Sequence, residues 1–152
     1  MTGAGRYFED FAEGERFTTE SAVLSEAEIV DFARVYDPQP FHIDAAAARD
    51  GPFGGLIASG FQTMALAFRL FYQEGVIADC SMGSPGMEKL RWHRPVRPGD
   101  SLRAEVEVSD LRPSTTKPDR GYGTWTYSVF NQHDEIVTSF VCTLIMRRRP
   151  DA

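Results

Sequence analysis

Asp37 and His42 stand five positions apart in YDPQPFHIDAAAARD (residues 36–50), with Pro38 and Pro40 between them. A carboxylate beside an imidazole can run proton chemistry. The imidazole exchanges protons near neutral pH, and the aspartate fixes its tautomer or shares a water with it. The two prolines stiffen the connection, so both side chains could converge on one water. The same residues also fit an aspartate that ends a helix and a histidine on the surface, and most Asp/His neighbours have no catalytic task. Gly60 is a third candidate. It follows Ser59 at the start of an apolar stretch, where a helix leaves its first N–H groups unpartnered and its dipole adds positive potential. A glycine there lets a ligand carbonyl approach, although close helix packing would call for the same residue.

The elements around these residues must hold them in place. FTTESAVL (residues 17–24) is rich in β-formers and predicts a first strand. Ser25 with Glu28 forms a capping box for a helix continued by Ile29, Phe32, Ala33 and Tyr36. Pro38 disfavours helical backbone at Asp37, so that helix ends there. Asp44 is placed to cap AAAARD. From Ser59 to Glu74 only Gly60 weakens a helix, and Ser59 with Gln62 repeats the capping-box pattern. Its residues leave little polar face, which predicts burial within the fold.

Beyond that helix the pattern turns to strands. MEKLRWH (residues 87–93) alternates imperfectly and PVRPGD supplies a turn. In SLRAEVEVSDL the residues Leu102, Ala104, Val106 and Val108 face one way, and Arg103, Glu105 and Glu107 the other. YGTWTYSVF and EIVTSFVCTLIM add two more strands across the turn NQHD. The expected class is α+β, one domain over residues 1–152, with an antiparallel curved sheet wrapped around one long central helix.

Composition narrows the function. A net charge of -6 argues against an electrostatic grip on nucleic acid. No run approaches membrane-spanning length, and MTGAGRYFEDF lacks the apolar stretch of a signal peptide, so the expected location is cytoplasmic. Cys80 and Cys142 fit neither a disulfide framework nor a metal motif, and Cys142 is expected in the core. His93 and His133 have no metal-ligand neighbour and are read as structural or solvated, so no metal is expected. Gly54 and Gly55 suit a turn. Ser59 suits a cap better than a nucleophile, because no Gly-x-Ser-x-Gly elbow surrounds it. Arg147, Arg148 and Arg149 read as a charged tail.

In order, YDPQPFHIDAAAA, FGGLIASGF and RWHRPVRPGDSL resemble the MaoC-like hydratases and dehydratases, hot-dog-fold proteins that include the R-specific enoyl-CoA hydratases. The likeness runs from about Tyr7 to the last strand. The family's hydratase motif is Asp, any residue, Asn, Pro, an aliphatic residue, His. Asp37, Pro40 and His42 match it, while Gln39 replaces Asn and Phe41 replaces the aliphatic residue. Gln lengthens the amide arm, and Phe41 is expected to narrow or reshape the pocket.

The resemblance implies a hydro-lyase acting on a 2-enoyl-CoA or a 3-hydroxyacyl-CoA. Asp37 and His42 would move the protons, in an order the residues leave open, and the Gly60 N–H would hold the thioester oxygen. Gln39, Phe41, Ser59 and Arg94 are expected at the substrate. Arg94 belongs with Lys89, Arg91 and Arg97 to a basic group that could meet the phosphates of coenzyme A, though solvated strand residues account for most of it. No cofactor is implied, and the expected assembly is a homodimer or a set of dimers, since a small antiparallel sheet leaves edges to cover. The alternatives are a hot-dog thioesterase, which would direct water at the thioester carbonyl, and a non-catalytic acyl-CoA-binding domain.

Overall fold

The computed structural model describes residues 5–150, so the first residues of the N-terminal stretch, 1–4, and residues 151–152 lie outside the described residues. A short 3-10 helix, Phe8–Asp10, precedes the strands β1 (Arg16–Thr18) and β2 (Ala22–Val23). The helices α1 (Glu26–Tyr36), α2 (Pro40–Ile43), α3 (Ala45–Arg49) and α4 (Gly60–Gln73) follow. The strands β3 (Gly86–Trp92), β4 (Ser101–Pro113), β5 (Arg120–Phe130) and β6 (Ile136–Arg147) complete the chain.

Local chemistry sets the helix boundaries. The Ser25 hydroxyl accepts the Glu28 N–H at 3.1 Å and the Glu28 carboxylate accepts the Ser25 N–H, closing the expected capping box on α1. Asp44 accepts from the N–H groups of Ala46 and Ala47 at the start of α3. The second expected capping box does not form. Ser59 caps α4 through the Phe61 N–H at 3.3 Å, but the Gln62 amide donates instead to the Glu28 carbonyl at 3.1 Å and ties α4 to α1.

The strands pair antiparallel in the order β1-β4-β5-β6-β3, with β2 also on β4. The strand predicted over residues 17–24 is broken. At the break the Thr19 hydroxyl accepts the Ala104 N–H at 2.9 Å, replacing a ladder bond with a side-chain bond. The alternation of β4 holds, with Leu102, Ala104, Val106 and Val108 all buried. Two of the register shifts in the sheet contain a residue at positive φ. One lies between Ser109 and Arg112, with Asp110 at φ 48, and the other between Glu88 and Arg91, with Lys89 at φ 55. The second explains the imperfect alternation of MEKLRWH.

The concave face of the sheet wraps α4, which is the hot-dog arrangement. Phe71 on α4 meets Trp125 at 5.5 Å and Tyr127 at 5.7 Å, and Tyr127 stacks on Phe140 at 4.5 Å. Cys142 and Cys80 are both buried in this interior. Burial pushes the Cys80 thiol up to about 11. The burial expected all round α4 holds on one side only. Phe61, Phe68 and Tyr72 remain exposed along the other, because the sheet covers a single face of the helix. The basic tail is also bound rather than free: Arg148 pairs with Glu9 at 3.0 Å and Arg149 with Asp10, fastening the end of β6 to the first helical turn.

Candidate active site

Three short segments meet at the start of α4. The α1 helix ends at Asp37, whose N–H donates to the Ala33 carbonyl. Gln39 precedes α2, with Pro40 in its first turn where a missing N–H costs nothing, and that turn presents His42. The segment before α4 runs beside α2, its Ile57 N–H donating to the Phe41 carbonyl at 3.0 Å and its Ala58 N–H to the Val96 carbonyl at 2.8 Å. Loop backbone is therefore pinned on both sides of the site.

His42 is 3% exposed, and both ring nitrogens have partners. Nδ1 lies 2.7 Å from the Ile57 carbonyl, which can only accept, so the hydrogen-bond network assigns the Nδ1 proton. Nε2 lies 3.1 Å from Asp37 Oδ2. The proton exchanged between the pair therefore travels through Nε2. Asp37 is held by its own set of donors: the Gln39 amide reaches Oδ1 at 2.7 Å, and the Ser59 hydroxyl reaches Oδ2 at 2.8 Å. Burial pushes the Asp37 carboxyl up, but the bonds from Gln39 and Ser59 and the charge and hydrogen bond of His42 outweigh it. Its pKa lies below that of an ordinary aspartate.

The pair opens onto a cavity of about 480 Å³ that Asp37, Gln39, His42 and Gly60 help to line. Its apolar wall comes from residues that the sequence reading did not single out, chiefly Phe53, Phe61, Trp92, Val96 and Val137. These come from four separate stretches of the chain, so no local spacing announces them. Gly60 is the first residue of α4, and among the described residues its N–H donates to no protein acceptor.

The residues expected at the substrate separate into two groups. Gln39 and Arg94 line the cavity, Arg94 with its guanidinium 3.2 Å from Glu135. Ser59 and Phe41 do not line it. Ser59 is fully buried behind Asp37, and the Phe41 ring packs edge-on against His42 at 4.5 Å and Phe53 at 5.3 Å. Phe41 therefore shapes the cavity through its neighbours. His93 stands at the rim with Nε2 2.8 Å from the Ser139 hydroxyl. Arg97 donates to the Phe53 carbonyl, bracing the turn that contains Gly54 at φ 67. Among the described residues no group of three or more His, Cys, Asp or Glu is gathered as a metal site would require. No helix among them is long and apolar enough to cross a membrane.

The chain is similar to known proteins over most of its length. Residues 10–128 match the family described as MaoC like domain. The crystal structure of a MaoC-like dehydratase from Rhodospirillum rubrum superposes with a TM-score of 0.89 at 40% identity, covering 96% of this chain and 99% of that one. The uncharacterized protein YdeM of Bacillus subtilis is 34% identical over 92% of this chain and 98% of its own length. The 3-hydroxybutyryl-CoA dehydratase of Methylorubrum extorquens is 30% identical over 70% of this chain and 66% of its own. Protein MaoC of Klebsiella aerogenes is a longer relative, of which the chain spans 38%.

Proposed function

This chain belongs to the MaoC-like domain family, and from that premise we propose that it is a single-domain hydro-lyase for the reversible hydration of a 2-enoyl-CoA. The observation that carries the reading is the Asp37–His42 pair, 3.1 Å apart on a cavity also lined by Gly60, whose N–H has no protein acceptor among the described residues. The relative from Methylorubrum extorquens supports the substrate class, since its name specifies 3-hydroxybutyryl-CoA.

Water addition needs one proton taken and one given. A water beside Asp37 gives its proton to the carboxylate as its oxygen bonds to C3, while His42, which enters the step with both ring nitrogens protonated, passes the Nε2 proton to C2. The pair gains one proton and loses one, and exchange across the 3.1 Å contact resets it. The low pKa of Asp37 suits this order, because the carboxylate begins ionised. The Nδ1 bond to Ile57 keeps the ring from turning. Gly60 N–H holds the thioester oxygen as charge grows on it.

We assign the assembly as a homodimer. Among the described residues β3 pairs on one side only, and Phe68 and Tyr72 on α4 and Met87 on β3 are exposed apolar side chains. A free strand edge beside an apolar face is the kind of surface that a second copy covers.

The test is a panel of 2-enoyl-CoA esters, following loss of the conjugated absorbance and release of free thiol in parallel. Absorbance loss without thiol supports the hydro-lyase. Thiol release would identify a thioesterase, and tight binding with neither would identify a binding domain.

A further inference from the structure

The indole of Trp92 covers the place where this reaction needs open space. A methyl built on the Gly60 Cα would overlap Cε2, Nε1 and Cζ2 of Trp92, so the face left bare by the glycine is filled by the ring. The same ring lines the cavity with Asp37 and His42 and meets Phe61 edge to face at 5.8 Å. A thioester whose oxygen accepts from the Gly60 N–H brings its carbonyl carbon, sulfur and C2 beside the same Cα. Ring and thioester therefore compete for one volume.

The ring is also free to yield. Trp92 is 50% exposed and ends β3, an edge strand that a bulge has already bent at Lys89. By contrast, Trp125 is 1% exposed beneath α4. We infer that Trp92 is the gate of this site: its ring packs on the Cα of Gly60, and a thioester that binds the N–H displaces it. The inference rests on the hydro-lyase reading, and adds to it the residue that controls access to the thioester-binding position.

Chain labelled with 5-fluorotryptophan carries two fluorine signals, from Trp92 and Trp125, and Trp92→Phe assigns them. The probe is butyryl-CoA, which lacks the double bond and cannot be hydrated, with its binding followed separately by calorimetry. At saturation the Trp92 signal should shift by more than its linewidth while Trp125 stays in place. Gly60→Ala without ligand should move the Trp92 signal in the same direction, because the methyl displaces the ring as the thioester does. Binding by calorimetry with an unmoved Trp92 signal would overturn the gate and leave the hydro-lyase intact. A ligand-induced shift with no shift in a folded Gly60→Ala would also overturn it, since the ligand would then touch a ring that need not move. If that variant does not fold, the ligand arm decides alone. No binding and no hydration of any 2-enoyl-CoA would remove both readings.

Discussion

Ser59→Ala separates two roles that one hydroxyl fills. Its oxygen accepts the Phe61 N–H at 3.3 Å as the cap of α4, and its proton goes to Asp37 Oδ2 at 2.8 Å. Losing a serine cap costs about 1 kcal/mol. Losing a hydrogen bond to a charged group costs about 1.5–3 kcal/mol. Together these come to about 3 kcal/mol, which in a chain of this size lowers Tm by about 6–12 °C. An orienting bond worth about 1.5 kcal/mol in the transition state corresponds to about tenfold in turnover. Burial pushes Asp37 up while Gln39, Ser59 and His42 hold it down, so removing one donor raises its pKa. The acid limb of kcat/KM therefore moves to higher pH. Ser25→Ala is the control: it removes the cap of α1 at the end away from Asp37, and should lower Tm by about 2–4 °C with an unmoved pH profile. Scanning calorimetry and pH-rate profiles on both variants check the reasoning. An acid limb that stays in place for Ser59→Ala while Tm falls would show that Ser59 only caps the helix.

Asp37→Asn and His42→Ala should each lower turnover at least about a hundredfold in a folded protein; near wild-type rates in either remove that residue from the mechanism. Gly60→Pro removes the N–H and, like alanine, puts a Cβ against Trp92, so turnover should fall about a hundredfold to a thousandfold while Tm falls about as far as in Gly60→Ala, which keeps the N–H. Unfolding or normal turnover would make Gly60 a packing residue. Stability should fall on the acid side. Asp37 is depressed as described, and the Tyr7 N–H and the Arg149 guanidinium hold the Asp10 carboxyl low. Their contribution is full above the ordinary carboxylate range, about pH 4, and is lost as pH falls through the folded-state values. A melting series from pH 7 to 3 should accordingly be less steep for Asp37→Asn than for the unmodified chain. Sedimentation at micromolar concentration should find a dimer, and a monomer would count against the proposed assembly.

What the sequence could announce follows from the range of each interaction. Ser25 with Glu28 and Asp44 before AAAARD act within one helical turn, and both caps stand where the spacing predicts them. The alternation of β4 likewise needs only a two-residue period, and its inward face is the buried one. Asp37 and His42 come together because the turn between them is short. Gln39 holds Asp37 from two residues away, but the other partners are remote: Ile57 lies 15 residues from His42 and Ser59 lies 22 from Asp37, on a segment whose course is set by packing. The misplaced readings share one cause. Ser59 and Phe41 were expected at the substrate and Gln62 in a cap, each from its sequence neighbours. In the fold each answers to something non-local: Ser59 to the Asp37 carboxylate on the cavity wall, Phe41 to the ring of Phe53, and Gln62 to the carbonyl of Glu28. Gly60 carries the point furthest. Its position at a helix start invites a reading as an anion site, and its contact with Trp92, 32 residues on in another element, equally explains why no side chain is present. Both pressures act on the same Cα. A glycine that must admit either an indole or a thioester is what a gated site requires, and one that only had to admit the indole would leave Trp92 unmoved by any ligand.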